Sequence, residues 1–319
     1  MSNAAAPLPP LLAARLGAHA NLARLVAGVL AAWPEHAAFL DKRFAVGGAA
    51  DRAHEDALAS LVLQLCGTHL ARACADYRSL CTHLLAEELY FRRHDRYRVA
   101  SAAQATAELY GAGAFMAAYM NGLLLSQPLW ANHAGASRFF VADFLPANPV
   151  DYRHLEIGPG HGLLLSFAAG DPLCAAAVGW DVSATSLTMT ADALHRLGLA
   201  RRVRLEARSV LDAGAGDGAF DSIAISEVLE HLDTPLAALE HVRELLRPGG
   251  RVFINMPVNS PAPDHVYLLR TPEAVLDLVR AAGLTVDGSR LFPASGYDEA
   301  RARRHRVTIS VVAIARRAP

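Results

Sequence analysis

From about residue 150 onward, the chain alternates short apolar segments with amphipathic segments of helical length. Such alternation predicts a doubly wound, mainly parallel α/β sheet, because each crossover between parallel strands needs a connection about as long as a helix. We expect seven strands, at residues 152–157, 175–182, 203–207, 220–226, 251–256, 284–291 and 307–315. The last two strands have no long helix between them, so we expect the final strand to be antiparallel, in a hairpin at one edge of the sheet.

The first 145 residues have a helical pattern instead. Apolar residues recur at three- and four-residue spacing over residues 11–33, and the same style continues over 56–70 and 77–85. Residues 89–99 place aromatic residues and Val99 around a polar turn, which predicts a β-hairpin and hence a winged-helix-like unit. We therefore predict two domains, a helical one over 1–145 and an α/β one over 146–319.

Composition excludes several classes of protein. Hydrophobic residues make up 53% of the chain, enough to bury a core, and 30 Lys and Arg balance 31 Asp and Glu, which argues against a nucleic-acid binder. Four cysteines without a CxxC pair predict buried free thiols in a reducing cytosol, with no disulfide framework and no metal site. The N-terminus lacks a signal-peptide pattern, and the uncharged segment 109–137 contains too many polar residues for a membrane span. We expect a cytoplasmic protein.

The segment His154–Gly162 places three glycines where the first strand ends and a helix begins. Ligands of open α/β sheets bind at this edge, and glycine lets the backbone approach them closely. Asp181 ends the second strand, about 20 residues further on, where a carboxylate can bind ribose hydroxyls. Glu156 stands two residues before the first glycine, where it would repel a pyrophosphate but suits a cationic ligand. The pattern favours S-adenosylmethionine (SAM) over a nicotinamide dinucleotide.

The segment Glu156–Gly162 resembles the first motif of the seven-stranded, Rossmann-like SAM-dependent methyltransferases. Further segments resemble later motifs of that family, in the same order: Asp181-Val182, Ser209–Asp212, Phe220–Leu232 and Leu246–Gly250. The resemblance covers residues 149–316 and implies SAM as cofactor and S-adenosylhomocysteine (SAH) as product. It implies these cofactor-binding residues: Glu156, Gly158, Pro159, Gly160, Gly162, Asp181, Val182, Ser183, Ser209, Val210, Leu211, Ser226 and Glu227. The chain departs from the family at Ser209, where an Asp is usual.

The acceptor must be aligned with the sulfonium and shielded from water, and a hydroxyl acceptor generally needs a base, often His. His231 follows the fourth strand, and His265 follows the fifth in a proline-rich loop. Tyr119 belongs to the uncharged segment of the helical domain. We take His265, His231 and Tyr119 as candidate catalytic residues, with packing as the alternative role for each and Asp264 as a possible partner of His265. The uncharged segment also offers Tyr110, Asn121, Trp130, Asn132 and His133 as a core stripe or a cavity wall.

The sequence favours a methyltransferase for a small-molecule acceptor, with O-methylation ahead of N- or C-methylation, in secondary metabolism. No Asn/Asp-Pro-Pro-Tyr/Phe motif follows the fourth strand and no Pro-Cys nucleophile appears, which disfavours methylation of nucleic-acid bases. The helical region resembles the dimerisation domain of two-domain O-methyltransferases, which implies a homodimer. Their usual His-Asp-Trp is Glu230-His231-Leu232 here.

Two alternatives remain open. The first is a methyltransferase that acts on a peptide, a carrier-bound intermediate or an RNA. An open basic groove would favour this alternative. The second is a SAM-binding partner protein without activity. The favoured reading includes no nucleic-acid or membrane partner.

Overall fold

A computed structural model of the chain describes residues 7–107, 113–214 and 219–318. The described residues before Tyr152 contain helices and no strand. These helices are α1 (Pro10–Leu16), α2 (Ala20–Ala32), α3 (Ala37–Arg43), α4 (Ala49–Cys66), α5 (Leu70–His94), α6 (Ala102–Ala105), α7 (Gly113–Leu129) and α8 (Ala131–Phe139). Their apolar faces meet in one core, as the spacing of apolar residues predicts.

The predicted β-hairpin over residues 89–99 is wrong. Residues up to His94 continue α5, which ends at Asp95 in the left-handed conformation. The aromatic residues lie on this helix and on the chain that folds back along it: Phe91 packs on Tyr97, and the Arg98 guanidinium lies 4.2 Å from the centre of the Tyr90 ring. These aromatic residues therefore pack between α5 and the segment that follows it, and not between two strands. The described residues form no wing.

The second half of the chain forms the predicted seven-stranded sheet. Its strands are β1 (Tyr152–Ile157), β2 (Cys174–Asp181), β3 (Val203–Ala207), β4 (Phe220–Ser226), β5 (Leu246–Val258), β6 (Thr285–Pro293) and β7 (Ile309–Arg316). The strand order is β3-β2-β1-β4-β5-β7-β6. As predicted, β7 is antiparallel, to both β5 and β6. The order reverses between β1 and β4, and ligands of such sheets bind at that point.

Helices connect the strands: α9 (Leu163–Gly170), α10 (Ala184–Arg196), α11 (Pro235–Leu245), α12 (Pro272–Ala281) and the short α13 (Glu299–His305). The predicted turn at Pro248–Gly250 is a bulge near the start of β5, where the pairing with β4 jumps from Leu246 to Arg251. A side chain at Gly250 would lie 2.9 Å from the Arg247 carbonyl oxygen, so only glycine fits there.

The helical region packs directly on the sheet and on its helices. Leu163 of α9 and Ala193 of α10 belong to the core formed by the N-terminal helices. Phe140 and Phe144, just after α8, pack on Phe253 of β5 with ring centroids 5.0 and 5.6 Å apart. At the end of β1, Met120 of α7 lies beside the glycine loop, with its sulfur 3.5 Å from where a Cβ of Gly160 would be.

The run from Ala49 to His94 is long and apolar enough to pass a composition test for a membrane span, with 44% of its most apolar window buried inside the structure. Two helices share this run, because α4 ends at Cys66 and a 3-10 turn precedes α5. Core helices pass the same test. The four cysteines are free, as predicted, and burial raises the pKa of the Cys66 thiol to about 11.

Candidate cofactor and acceptor site

The glycine loop leaves β1 at its carboxyl end and turns into α9. Gly158, Gly160 and Gly162 all have positive φ angles, of 67°, 55° and 77°. A Cβ atom on Gly158 would lie 2.5 Å from Val228 Cγ2, so a side chain there would both strain the backbone and clash. The Thr190 hydroxyl donates to the Gly160 carbonyl at 2.9 Å and fixes the loop against α10. The loop therefore presents backbone groups without side chains to a ligand at the carboxyl end of β1.

Glu156 lies opposite Gly179 near the end of β1, and Asp181 ends the neighbouring strand β2. Glu156 is 3% exposed, and its Oε2 atom has no hydrogen-bond partner among the described residues. Burial, with the nearby Asp181 charge, raises the pKa of Glu156 to about 8. Burial also raises the pKa of Asp181, against the effect of backbone N–H groups of Ser183, Gly160 and Val182. A buried carboxyl without a partner is costly, and a cationic ligand group would satisfy it.

Apolar and polar groups flank these carboxyls. Val182 and Leu211 are 75% and 38% exposed, and they follow the ends of the neighbouring strands β2 and β3. Ser183 caps α10, and its N–H donates to Asp181 Oδ1 at 2.8 Å. Ser209 caps the next turn by accepting from the Leu211 N–H. Val210 is in the core, so of this residue only the backbone is available to a ligand.

Beyond β4, Glu227 adopts a left-handed conformation with φ of 54°, a strain typical of functional positions. Its N–H donates to the Asn255 carbonyl at 2.8 Å, and Asn255 also donates to the Ser226 hydroxyl at 3.1 Å. A chain of hydrogen bonds ties Glu227 to the helical region: Asn132 of α8 donates to Ser310, whose hydroxyl donates to the Glu227 carboxylate. Burial raises the pKa of Glu227 to about 7.

The candidate catalytic residues meet in one buried cluster. The Tyr119 hydroxyl donates to Asp264 Oδ1 at 3.1 Å, and His231 Nδ1 lies 3.0 Å from the Asp264 carbonyl and 3.5 Å from Asp264 Oδ2. The rings of His231 and His265 are perpendicular, with centroids 4.8 Å apart. Burial, followed by the His231 charge, lowers the pKa of His265 to about 4.

Asp264 contacts a different histidine from the one next to it in sequence. Its carboxylate and carbonyl lie against His231, whereas His265 Nδ1 lies 2.7 Å from the Ser260 carbonyl. Burial would raise the pKa of Asp264, but the histidine charges and the Tyr119 hydroxyl outweigh it and hold that pKa below its usual value. Asp264 therefore stays ionised and orients His231.

Comparison with known proteins agrees with this geometry. Residues 155–252 match the family model described as a methyltransferase domain. Residues 155–252 therefore form a methyltransferase domain, which lies within the Rossmann-like sheet. This methyltransferase domain contains Glu156, the glycine loop, Asp181 and the turn with Glu227 and His231, while His265 and Tyr119 lie outside the matched residues.

Individual relatives cover part of the chain. A ubiquinone biosynthesis O-methyltransferase from Xanthomonas axonopodis pv. citri (strain 306) is 32% identical over 118 residues, 36% of this chain and 46% of that protein. A protein of the same name from Xanthomonas campestris pv. campestris (strain B100) is 33% identical over 114 residues, 34% of this chain and 45% of that protein. The match thus spans less than half the length of these curated relatives.

A solved structure reaches further along the chain. An O-methyltransferase family protein from Burkholderia thailandensis has a TM-score of 0.52 and 18% identity, and it covers 76% of this chain and 71% of its own. At this identity the likeness shows the fold alone. Its coverage extends beyond the methyltransferase domain into the helical region.

The structure brings together most residues that the sequence singled out, and adds others. Trp130 and His133 lie beside Tyr77 and Ser126 in the helical core, which favours packing for both. Tyr110 lies outside the described residues. Glu230, Asn255 and Ser310 have no sequence signal as site residues, because only the folded sheet edge brings them next to Glu227 and His265.

Proposed function

We propose that this protein transfers the methyl group of SAM to a hydroxyl group of a small-molecule acceptor and releases SAH. Glu156 is the observation that carries the proposal. A cofactor with an ammonium group fits beside this buried carboxyl, whose Oε2 atom has no hydrogen-bond partner among the described residues, whereas a pyrophosphate does not. Asp181 is placed to bind the ribose hydroxyls, and the exposed Val182 and Leu211 offer apolar faces to the adenine.

The acceptor side supports O-methylation. His231 is oriented by Asp264 and lies at the end of β4, close to Glu227, so it can take the proton of a hydroxyl group. Tyr119 and Tyr97 add aromatic surface to the same cluster, which suits an aromatic or apolar acceptor. The curated relatives are named as O-methyltransferases, in agreement with this choice. A role in secondary metabolism, a homodimer and a cytoplasmic location remain predictions of the sequence.

A transfer assay tests the proposal. The full chain is incubated with SAM that carries an isotope-labelled methyl group and a panel of phenols, catechols and aliphatic alcohols. Mass spectrometry then follows SAH and the labelled acceptor. We expect label on a hydroxyl oxygen of at least one aromatic acceptor, with His231→Ala reducing turnover by about 100-fold or more while SAH still binds. Label on a peptide or an RNA instead would favour the macromolecular alternative, and tight SAH binding without any turnover would favour the inactive partner.

A further inference from the structure

Glu230 follows β4 on the 3-10 turn Leu229–His231 and is fully buried. Neither of its carboxylate oxygens has a hydrogen-bond partner among the described residues. Buried carboxyl groups are almost always hydrogen-bonded or paired with a cation, since leaving one without a partner costs several kcal/mol. The described ion pairs offer it only His265, whose Nε2 atom lies 3.9 Å from Glu230 Oε1. The neighbouring acid Glu227 adds negative charge beside it. Among the described residues, Glu230 thus has no cationic partner closer than His265.

Each of the two neighbouring histidines has its Nδ1 atom against a backbone carbonyl oxygen. His231 Nδ1 lies 3.0 Å from the Asp264 carbonyl oxygen, and His265 Nδ1 lies 2.7 Å from the Ser260 carbonyl oxygen. A carbonyl oxygen can only accept a hydrogen bond, so each Nδ1 carries the proton. The Nε2 atom of each neutral ring is then a free electron-pair donor. Histidines that bind metals are commonly held in this way, with the other ring nitrogen donating to a carbonyl.

These donors converge. One ligand atom from each of Glu230, His231 and His265 can be chosen so that all three lie within 4.8 Å of one another. We propose that Glu230, His231 and His265 form a binding site for one divalent first-row transition-metal ion. Imidazole and carboxylate together suit zinc, iron, manganese or cobalt better than magnesium or calcium, which prefer oxygen ligands alone. The site uses no cysteine, so the cysteine spacing could not indicate it.

A bound ion would draw the three side chains together. Ligands at about 2.0–2.2 Å from a metal lie roughly 3–3.5 Å from one another, closer than the 4.8 Å limit of this cluster. His231 can make that movement most easily, since its side chain is 23% exposed whereas those of Glu230 and His265 are buried. Three protein ligands leave further positions open for water or for an oxygen of the acceptor.

The role of the ion rests on the proposed function, although its binding does not. With the ion bound, His231 Nε2 would be a metal ligand and no longer the base, and an acceptor hydroxyl on the ion would instead lose its proton to water more readily at neutral pH. The resulting oxygen anion would then take the methyl group from the sulfonium, which becomes the thioether of SAH. The metal would thus favour acceptors that bind through an oxygen atom.

Metal titration of the full chain tests the site. The protein is stripped of metal with a chelator, and zinc and cobalt are then added separately, followed by calorimetry, elemental analysis and the visible absorption of bound cobalt. We expect one ion per chain, and a loss of affinity of about 100-fold or more in Glu230→Gln and in His231→Ala. His69→Ala, which removes an exposed histidine from the turn before α5, serves as the control and should bind like the wild type.

The outcomes are distinguishable from failure of the proposed function, because SAH affinity is measured on the same samples. If Glu230→Gln does not fold, His231→Ala decides, because the His231 side chain is partly exposed and its loss disturbs the core less. The site would be overturned if both variants kept stoichiometric metal binding or if the His69 control lost it. It would also be overturned if the wild-type protein bound SAH but no metal.

Discussion

Replacement of Glu156 by Gln should raise the stability of the ligand-free protein and lower its affinity for SAH. The pKa of Glu156 rises on folding from its ordinary 4.5 to about 8, with burial as the main cause and Asp181 as the second. An acid with a raised pKa in the folded state costs stability, and the cost grows as the pH rises from 4.5 to about 8. That gap is equivalent to roughly 4–5 kcal/mol once the carboxyl is fully ionised.

Glutamine keeps the shape of the side chain and removes the titration. The free energy of unfolding of Glu156→Gln should therefore exceed that of the wild type by a margin that increases between about pH 5 and pH 8. Denaturant melts at several pH values measure this margin. Glu240→Gln, at an exposed position on α11, is the matched control and should show no such increase.

SAH binding should respond in the opposite direction. The ammonium group of SAH favours the ionised carboxylate, so binding to the wild type releases a proton below about pH 8 and tightens as the pH rises. Between about pH 6 and pH 8 the gain reaches up to roughly 50-fold if Glu156 is fully ionised in the complex. Calorimetry in buffers of different ionisation enthalpy counts the released proton. A Gln variant that binds SAH as tightly as the wild type, with the same pH dependence, would refute the role assigned to Glu156.

Three further substitutions probe the site. Asp181→Ala should weaken SAH binding by about 10- to 150-fold in calorimetry, because it removes a charged hydrogen-bond acceptor, and an unchanged Kd would contradict the ribose assignment. Gly158→Ala should lower the melting temperature and SAH affinity together, because its Cβ would meet Val228 Cγ2 at 2.5 Å in a left-handed backbone; a wild-type melting curve would show that the loop relaxes freely. Tyr119→Phe should lower kcat without changing the SAH Kd, because Asp264 loses a hydrogen bond that favours its ionised form. The acidic limb of the kcat–pH profile should therefore move to higher pH. A profile that stays in place would make Tyr119 a packing residue.

The sequence predicted the sheet well because its signals are local. The bounds of β1, β3 and β4 agree with the predicted ranges, since each is a strand-length segment with apolar residues that a glycine or a polar turn ends. The antiparallel final strand followed from the short connection before it. The prediction of a wing was wrong for a physical reason. Tyr90, Phe91 and Tyr97 fit a strand pattern as well as a helical one, and only the packing of α5 on the helical core favours the helix.

The site residues also separate into those that local sequence predicts and those that only the fold brings together. Glu156, Asp181 and the glycines lie at strand ends, so their positions could be read from the sequence. The cluster of Glu230, His231 and His265 depends on β4 and β5 being neighbours and on the loop after β5 folding back, with the Val266 and Tyr267 N–H groups donating to the Glu230 carbonyl. Contacts made through a loop of this kind have no sequence period. The pairing of Asp264 with His231 instead of the adjacent His265 has the same origin.

A crystal structure of the full chain with SAH tests the central claim most directly. We expect the SAH amino group on the Glu156 side of the glycine loop and both ribose hydroxyls within about 3 Å of the Asp181 carboxylate. We also expect the adenine between Val182 and Leu211, and the sulfur facing Glu227 and His231. SAH bound elsewhere, or with its adenosine on the Glu156 side and its amino group at Asp181, would contradict the assignment of this edge as the cofactor site.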